Sequence, residues 1–374
     1  MIADSMVSLV KNSSVIRAMF EEGNRLAKLY GAENVYDFSL GNPNVPAPAE
    51  VNEAVKDIVD NEESTFIHGY MSNAGYEDVR QTIAESLNRR FGTHFNHTNI
   101  VMTVGAAGGL NTIFKTLLNP GEEVMTFAPF FGEYRNYVSN FGGKLVVVSP
   151  NTVDFQPKLD EFEAKITPKT RAVIVNNPNN PTGTYVGREK VIEFIKKVPD
   201  DVIVLMDEAY LEFATAEDCQ SMYPLIKELP DKPIIVLKTF SKYYGMAGVR
   251  VGYALAAPEL IAAIEKCPSA MISKAGQAGA IAALADQQYY QEVKKKLVEG
   301  MTYLETEMEK LGCKVYHSQT NFILFDPHID AQLVRAKLME AGIMISAPGI
   351  CRVSVSTMEN NRLFIETLKN IMGK

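Results

Sequence analysis

The sequence has few of the residues that mark disulfide-rich, metal-binding or membrane proteins. It holds only 4 cysteines and 5 histidines in 374 residues, and no cysteine pair has CxxC spacing. Scattered cysteines of this kind are typical of free, mostly buried thiols in a reducing compartment. No stretch has the apolar length that crosses a bilayer, and the charged first residues do not resemble a secretory signal. We therefore expect a cytoplasmic protein with no membrane partner.

The sequence also lacks a cluster of metal ligands and a long basic run. His94 and His97 are three residues apart, but their polar surroundings predict a loop, so we predict no metal site. The net charge is -8, and the triplet 294–296 (three lysines) predicts a solvated helix face. This balance argues against nucleic acid as a partner. At 46% apolar and 22% charged residues, the chain has the composition of a globular protein with two subdomains or two domains.

Apolar runs and helical patterns alternate between about residues 50 and 260. Runs such as 202–206 do not alternate polar and apolar residues, which is typical of strands covered on both faces. This pattern predicts an α/β fold with a mostly parallel sheet between helices. The candidate strands are Ile100–Val104, Glu123–Phe127, Lys144–Val148, Ala172–Val175, Val202–Met206, Ile234–Leu237 and Gly252–Ala256.

The two ends of the chain predict a smaller α+β domain. An amphipathic helix is predicted over Ser13–Tyr30, and apolar residues at spacings of three and four predict a long helix near 288–311. The tail predicts further elements: strands Asn321–Phe325 and Cys351–Val355, and helices Ala331–Ala341 and Glu359–Met372. We predict a large domain over 46–287 and a discontinuous small domain over 1–45 and 288–374, with 288–311 as the connecting helix.

The most informative motif is the string from Lys238 to Lys242, followed eight residues later by Arg250. It places Lys242 just past the end of a predicted buried strand, where open α/β sheets build their sites. A hydroxyl (Thr239 or Ser241) and the guanidinium of Arg250 both suit a phosphate. A lysine beside such a set can hold pyridoxal phosphate as a Schiff base. The alternative is a surface lysine on a loop.

Two other strand ends carry polar residues that suit the same cofactor. Asp207 ends a buried run, where a carboxylate is costly unless it is paired, and it can hold a protonated pyridinium nitrogen. Tyr210, three residues on, can hydrogen-bond the ring oxygen. Asn180, in the proline-rich loop 176–183, is a neutral donor for the same oxygen. The alternatives are a helix cap for Asp207 and an ordinary turn for Asn180.

Two weaker motifs concern anions. A turn of glycine and alanine at 105–109 precedes a helix predicted over Asn111–Leu118, and helix N-termini bind phosphate through backbone N–H groups. Such a turn also serves plain close packing. Arg352 lies on the predicted strand 351–355 and can fork onto a substrate carboxylate. An exposed strand arginine is the alternative there.

Together these motifs resemble fold type I pyridoxal-phosphate enzymes, in particular class I and II aminotransferases. The resemblance covers nearly the whole chain and rests on Asn180-Pro-Thr-Gly183, Asp207-Glu-Ala-Tyr210, and Lys242 with Arg250. It implies a large domain with a seven-stranded, mostly parallel sheet, and a smaller α+β domain. It also implies pyridoxal 5'-phosphate as cofactor, and transfer of an amino group from an L-amino acid to a 2-oxo acid by a ping-pong mechanism.

The resemblance implies a role for each matching residue. Lys242 forms the Schiff base and acts as acid and base, and Asp207 pairs with the ring nitrogen. The other cofactor contacts are Asn180 and Tyr210 at the ring oxygen, Phe131 stacked on the ring, and Thr239, Arg250, Ala106 and Ala107 at the phosphate. The chain departs from the family where alanines replace a frequent Ser or Thr, so that only backbone contacts remain at 106–107, and where Phe replaces Tyr or Trp at 131.

The family resemblance further implies a homodimer and substrate contacts by Gly41, Asn180 and Arg352. Tyr70 matches a tyrosine that reaches the phosphate of the neighbouring subunit. Gly41 and Arg352 match residues on the substrate side, with Arg352 holding the carboxylate.

The substrate is less well defined than the class of reaction. The segment 238–253 is most similar to histidinol-phosphate aminotransferases, but their phosphate-gripping arginine, four residues after a Gly-Ile, is replaced by Ser346. No arginine lies between 251 and 299, where aspartate-specific relatives have a second one; Lys266 and Lys274 are the nearest candidates. Aspartate as the amino donor therefore remains an alternative, and so does a β-lyase reaction on cysteine-like substrates. A non-catalytic sensor is disfavoured by the complete lysine–aspartate–asparagine set.

Overall fold

A computed structural model describes residues 2, 6–7, 15–41, 45–267, 272–347 and 349–374. The first two residues of the predicted helix Ser13–Tyr30 lie outside these described residues. The described residues contain no helix that is both long enough and apolar enough to cross a membrane.

The described residues form twelve strands and fourteen α-helices. The strands are β1 (Tyr36–Asp37), β2 (Ile100–Thr103), β3 (Glu123–Phe127), β4 (Lys144–Val148), β5 (Thr170–Asn176), β6 (Ile203–Asp207), β7 (Ile234–Thr239), β8 (Gly252–Leu255), β9 (Lys314–Tyr316), β10 (Phe322–Asp326), β11 (Ile343–Met344) and β12 (Cys351–Ser354). The helices are α1 (Val15–Tyr30), α2 (Ala49–Asn61), α3 (Ser64–His68), α4 (Glu77–Phe91), α5 (Gly105–Leu117), α6 (Tyr134–Ser139), α7 (Leu159–Lys165), α8 (Arg188–Lys197), α9 (Leu225–Glu228), α10 (Pro258–Ile264), α11 (Lys274–Ala285), α12 (Gln287–Lys310), α13 (Ala331–Glu340) and α14 (Met358–Met372).

The chain divides into two compact units, a larger one over Val45–Lys295 and a smaller one over Met1–Asn44 with Lys296–Lys374. The larger unit is built on a seven-stranded sheet with the order β2-β8-β7-β6-β5-β3-β4. Strand β8 is antiparallel to both of its neighbours, and every other adjacent pair in this sheet is parallel. The predicted mostly parallel sheet is confirmed, and all seven candidate strands belong to it.

Burial explains why these segments form strands. Every residue of β2, β6, β7 and β8 is buried, which requires cover on both faces of the sheet. The hydrophobic core contains residues from helix α5 (Leu110, Ile113, Phe114) and from the strands (Ile174, Leu205, Leu237, Ala254). Apolar runs without alternation therefore predicted these strands correctly.

The prediction for the glycine-rich turn was wrong in one respect. Helix α5 begins at Gly105, not at Asn111, so Ala106 and Ala107 lie in its first turn. Alanine is the strongest helix former, which favours this earlier start. Gly109 lets the helix pack closely against β7, since a Cβ at this position would come within 2.6 Å of Leu237 Cδ1.

The smaller unit has an α+β arrangement. Strands β12, β10 and β9 form an antiparallel sheet in that order, and β1 pairs in parallel with β11. Strand β10 is buried over Phe322–Phe325, and helix α14 buries Phe364, Ile365 and Leu368. The boundary between the two units falls within helix α12.

We expect Gly252→Ala to destabilise the larger unit. A Cβ at this position would lie 2.6 Å from the Lys238 carbonyl oxygen and 2.9 Å from the Gly105 carbonyl carbon, and backbone atoms cannot easily move aside. The expected loss in free energy of unfolding is about 1–3 kcal/mol, measured by chemical denaturation. The matched control is Gly248→Ala, since a Cβ there meets nothing within 4 Å. Equal stability of the two variants would contradict the close backbone approach.

Candidate active site

Three neighbouring parallel strands of the larger unit end in polar residues. Asn176 ends β5, Asp207 ends β6 and Thr239 ends β7. Asn176 pairs with Asp207 in the ladder, and Asp207 pairs with Leu237, so the three ends lie at one edge of the sheet. Open α/β sheets bind ligands at this carboxyl edge.

Asp207 is buried with two neutral hydrogen-bond donors. The Tyr134 hydroxyl donates to its Oδ2 at 2.6 Å, and the Ala209 backbone N–H donates to its Oδ1 at 3.1 Å. Burial raises the pKa of the Asp207 carboxyl, although both hydrogen bonds and, to a smaller extent, the charge of Lys238 oppose this shift. Since neither donor is a cation, the carboxylate has an environment that a protonated ring nitrogen would complete.

Tyr134 is a site residue that the sequence reasoning missed, since only Phe131 was selected from the segment 129–134. Its ring is fully buried and meets the Phe131 ring edge-on, with centroids 5.6 Å apart. Burial raises the pKa of the Tyr134 hydroxyl well above its ordinary value, so the group stays a hydrogen-bond donor. Asp207 is 73 residues away along the chain, and no local pattern signals that pairing.

The loop that carries Asn180 is bound to the end of β6. The Asn176 side chain accepts from the Asn180 backbone N–H at 2.7 Å and donates to the Asp207 carbonyl at 2.9 Å. The Asn177 N–H donates to the same carbonyl at 3.1 Å. Asn180 itself is only 9% exposed. The loop and the strand end that carry Asn180 and Asp207 are therefore joined at the backbone.

The structure brings Lys242 close to Tyr210. The Lys242 Nζ lies 5.7 Å from the centroid of the Tyr210 ring, and the lysine is half-buried. The residues after Lys242 are bound to the start of α12. The Tyr243 hydroxyl donates to the Tyr290 carbonyl at 2.9 Å, and the Tyr290 hydroxyl donates to the Tyr244 carbonyl at 3.1 Å. These bonds fix the segment that follows the lysine.

An anion cradle lies at the N-terminus of α5. The Arg250 guanidinium donates to Ser241 Oγ at 3.3 Å and to the Val104 carbonyl at 3.4 Å, and Thr239 Oγ1 donates to Ser241 Oγ at 2.9 Å. Gly105 has a φ of 65°, which favours glycine, and a Cβ there would come within 2.7 Å of Arg250 Nη2 and displace the guanidinium. Hydroxyls, a guanidinium and the first backbone amides of a 13-residue helix thus converge. Thr239 and Ser241, between which the sequence left a choice, both take part.

Arg352 and Gly41 lie together in the smaller unit, in a group of six residues that we call the Arg352 cluster. Arg352 donates to the Ser39 carbonyl at 2.6 Å. The Gly41 N–H donates to the Ser354 hydroxyl, and the Gly41 carbonyl accepts from the Asn321 side chain, both at 3.0 Å. The six residues are Ser39, Gly41, Asn321, Ser346, Arg352 and Ser354. Ser346 belongs to it because its backbone pairs with that of Arg352 at 2.7 and 3.1 Å. Arg352 is the one cation among the six.

Tyr70 differs from the other selected residues because it is 95% exposed. The structure brings ten of the predicted site residues into the larger unit, where Tyr70 and Arg250 are exposed, and two into the smaller unit. Over the part of the chain that the structure describes, no group of three or more His, Cys, Asp or Glu side chains could hold a metal ion.

The fold and the strand-end site are those of an α/β enzyme that binds a phosphorylated ring. The family is defined by comparison: the model of aminotransferase class I and II matches residues 33–368, and the chain belongs to this family. The histidinol-phosphate aminotransferase of Moorella thermoacetica is 35% identical over 282 residues, which cover 74% of this chain and 72% of that protein. The chain is therefore a pyridoxal-phosphate-dependent aminotransferase.

Solved structures agree with this assignment. An aminotransferase of Eubacterium rectale is 29% identical, with a TM-score of 0.84 over 100% of this chain and 99% of that chain. The histidinol-phosphate aminotransferase of Sinorhizobium meliloti, in complex with pyridoxal-5'-phosphate, is 28% identical, with a TM-score of 0.81 over 94% of each chain. Pyridoxal phosphate is the cofactor of this family and of this chain.

We expect Asp207→Asn to separate stability from activity. The raised pKa of Asp207 means that its ionised form costs stability in the folded protein at neutral pH, and asparagine removes that charge. The protein without cofactor should therefore melt at the same temperature or higher, and the difference should shrink as the pH falls towards the ordinary aspartate pKa of about 4. The turnover number should fall by roughly 100-fold or more.

The control for this variant is Asp218→Asn, which removes an exposed carboxylate that accepts a hydrogen bond from Tyr185 at 2.7 Å. It should leave turnover unchanged. A wild-type turnover number in Asp207→Asn would show that this carboxylate does not assist the reaction, and a melting temperature several degrees lower would show that its charge is well compensated without cofactor.

Proposed function

We propose that the amino donor of this aminotransferase is an L-amino acid whose α-carboxylate is bound by Arg352. The observation that carries this proposal is the composition of the Arg352 cluster, which has one guanidinium and a hydroxyl at position 346. A guanidinium is a planar fork that matches a carboxylate. Its contact with the Ser39 carbonyl would hold the fork in a fixed orientation.

Pyridoxal phosphate, when bound, supplies an electron sink that stabilises negative charge at the α-carbon of the substrate. Lys242 would hold the cofactor at rest and then carry a proton to and from the substrate's α-carbon on its Nζ. Asp207 would keep a proton on the ring nitrogen. The two groups that donate hydrogen bonds to its carboxylate are neutral, so its negative charge stays available to the ring. Asn180 and Tyr210 would donate to the ring oxygen, and the 5.7 Å between Lys242 Nζ and the Tyr210 ring supports the pairing of these roles.

The anion cradle fits the cofactor's phosphate. Thr239, Ser241 and Arg250 would bind its oxygens together with the backbone amides of Ala106 and Ala107 in the first turn of α5. Because both alanines lack a hydroxyl, the serine and threonine of 239–241 would provide the side-chain contacts. Phe131 would stack on the ring, supported on its edge by Tyr134. We assign cofactor binding to the larger unit, Val45–Lys295, whose bounds are close to those of the domain predicted at 46–287.

Histidinol phosphate is the second candidate substrate, because relatives of 35% identity carry that name. Its anionic group is a phosphate, which carries more charge than a carboxylate and is usually bound by more than one donor. In those relatives an arginine is expected four residues after the Gly-Ile pair, and Ser346 stands there in this chain. The hydroxyl adds no charge, so the single guanidinium favours a carboxylate over a phosphate.

Substitution of Arg352 tests the carboxylate proposal. Arg352→Met should raise the KM for the amino donor about 10–100-fold, and Arg352→Lys should lie between it and wild type, because lysine keeps the charge but loses the fork. The exposed Arg362 provides the matched control, and Arg362→Met should not change KM. The wild-type protein should give a higher kcat/KM with some L-amino acid than with histidinol phosphate. The opposite order, together with an unchanged KM in Arg352→Met, would overturn the assignment.

We further propose that the enzyme is a cytoplasmic homodimer in which Tyr70 reaches the phosphate bound by the other subunit. The 95% exposure of its side chain supports a role outside its own chain, and Phe66 nearby in sequence is also exposed. Free cysteines at all four positions, three of them buried, support a reducing compartment.

Mixed dimers test the shared site. Chains with Tyr70→Ala and chains with Lys242→Ala, co-expressed with different tags, should form hybrids that contain one intact site and one doubly altered site. Random pairing then restores about a quarter of wild-type activity, although each variant alone has little. Activity in the mixture that equals the average of the two separate variants would exclude a tyrosine contributed across the dimer.

A further inference from the structure

Four charged side chains in the larger unit, three of them buried and the fourth, Arg90, 33% exposed, have no role in the reaction as described above. Lys238 Nζ lies 2.6 Å from Glu212 Oε1 and 3.6 Å from Glu208 Oε2, and Arg90 Nη2 lies 4.0 Å from Glu212 Oε1. The side chains of Lys238, Glu208 and Glu212 are 3%, 1% and 6% exposed, respectively. We call these four residues the buried charge network. Burying charges to this extent is costly, so their retention calls for a reason.

The network joins three segments of the chain. Glu208 accepts hydrogen bonds of 2.7 Å from the Ser221 hydroxyl and from the Met222 backbone N–H, and Lys238 donates to the Glu208 carbonyl at 3.3 Å. Lys238 belongs to β7, and Glu208 directly follows β6. The network therefore binds the end of β6 to the end of β7 and to the segment 221–222.

Its members alternate with the residues of the active site. Glu208 follows Asp207, and Lys238 precedes Thr239; the Glu208 N–H donates to the Leu237 carbonyl at 3.1 Å and so continues the parallel ladder. Neighbouring side chains on a strand point to opposite faces of the sheet. Asp207 and Thr239 lie on one face, where they contact Tyr134 and Ser241, respectively. Glu208 and Lys238 contact each other on the opposite face. The network thus lies directly behind the cofactor residues.

The charges in the network balance one another. Burial raises the pKa of Glu208, although Lys238 opposes this shift. Burial would raise the pKa of Glu212 too, but Lys238 and Arg90 together hold it below its ordinary value. Other titratable groups also interact with these two carboxylates. Burial raises the pKa of Cys219 and of four tyrosines, so they stay neutral: Tyr223, Tyr243, Tyr244 and Tyr253. Burial lowers the pKa of Lys294, and Glu212 opposes this shift. Lys238 and Arg90 are thus the cations within 4.0 Å of the two carboxylates, and Lys294 is a third cation that interacts with Glu212.

We propose that the buried charge network is a positioning device for the active site, in which the balance between Lys238 and Glu212 fixes the strand ends that carry Asp207 and lead to Lys242. This inference rests on the roles proposed above for Asp207 and Lys242. None of the four network residues is among those proposed to contact the substrate or the cofactor. They act through the backbone of β6 and β7, and a change in their charge balance would act on the cofactor through the protein interior, where screening by salt is weak.

A double-mutant cycle on the full-length protein tests this role. The variants are Glu212→Gln, which keeps the shape and removes one negative charge, Lys238→Met, and the two combined. Each single change should lower kcat about 10-fold or more with less than a threefold change in KM, whereas the balanced double variant should lose less than the product of the two single losses. The melting temperature of the protein without cofactor should show the same non-additivity.

Absorption spectroscopy gives a readout that a loss of stability does not change. The visible absorption of the bound cofactor depends on pH, and the midpoint of that change should fall by on the order of 0.5 pH units in Glu212→Gln, since one added net positive charge disfavours protonation nearby. The double variant should return towards the wild-type midpoint. The control is Ile195→Ala in helix α8, a fully buried apolar residue. It should lower the melting temperature without moving the midpoint.

The proposal is overturned if Glu212→Gln keeps both kcat and the spectroscopic midpoint, or if the losses in the cycle multiply. It is also overturned if Ile195→Ala moves the midpoint as far as Glu212→Gln does. Absence of a cofactor absorption band in the wild-type protein would instead refute the proposed role of Lys242, which separates the two failures.

Discussion

The active site depends on the burial of one carboxylate, that of Asp207, at the end of a strand with no exposed residue. Burial raises its pKa, and its two hydrogen-bond donors, Tyr134 and the Ala209 amide, are neutral. A carboxylate in this setting is stable only because the surrounding structure holds it, and a cationic ring nitrogen is the partner that would relieve the cost. The adjacent strand ends, the Asn180 loop and the segment after Lys242 are all fixed around this position.

The parallel sheet holds these strand ends in fixed positions. Its ladder sets Asn176 beside Asp207, and the absence of a Cβ at position 105 lets the Arg250 guanidinium lie against the start of helix α5. On the opposite face of the sheet, Lys238 and Glu208 join the same two strands by buried charges. Polar groups on one face are thus those proposed to bind the cofactor, while polar groups behind them join the strands that carry the first set.

Much of this could be predicted from the sequence, because the signals are local. Unbroken apolar runs predicted the seven strands, and three short motifs predicted where Asn180, Asp207 and Lys242 lie. Pairings between distant residues had no such signal. Tyr134 meets Asp207 across 73 residues, and Lys238 meets Glu208 across 30, so neither pairing was foreseen. The helix start at Gly105 was misplaced because glycines that pack closely were interpreted as a turn. The roles of all the site residues, with Gly41, Tyr70 and Arg352 among them, stay predictions.

The central claim is that Lys242 is the residue that binds the cofactor. The most direct measurement is borohydride reduction of the purified protein with bound pyridoxal phosphate, followed by digestion and mass spectrometry of the peptide that contains Lys238 and Lys242. Our account predicts a single modification, located on Lys242, since Lys238 is 3% exposed and paired with two carboxylates. A modification on Lys238 or on another lysine, or no modification at all, would contradict it.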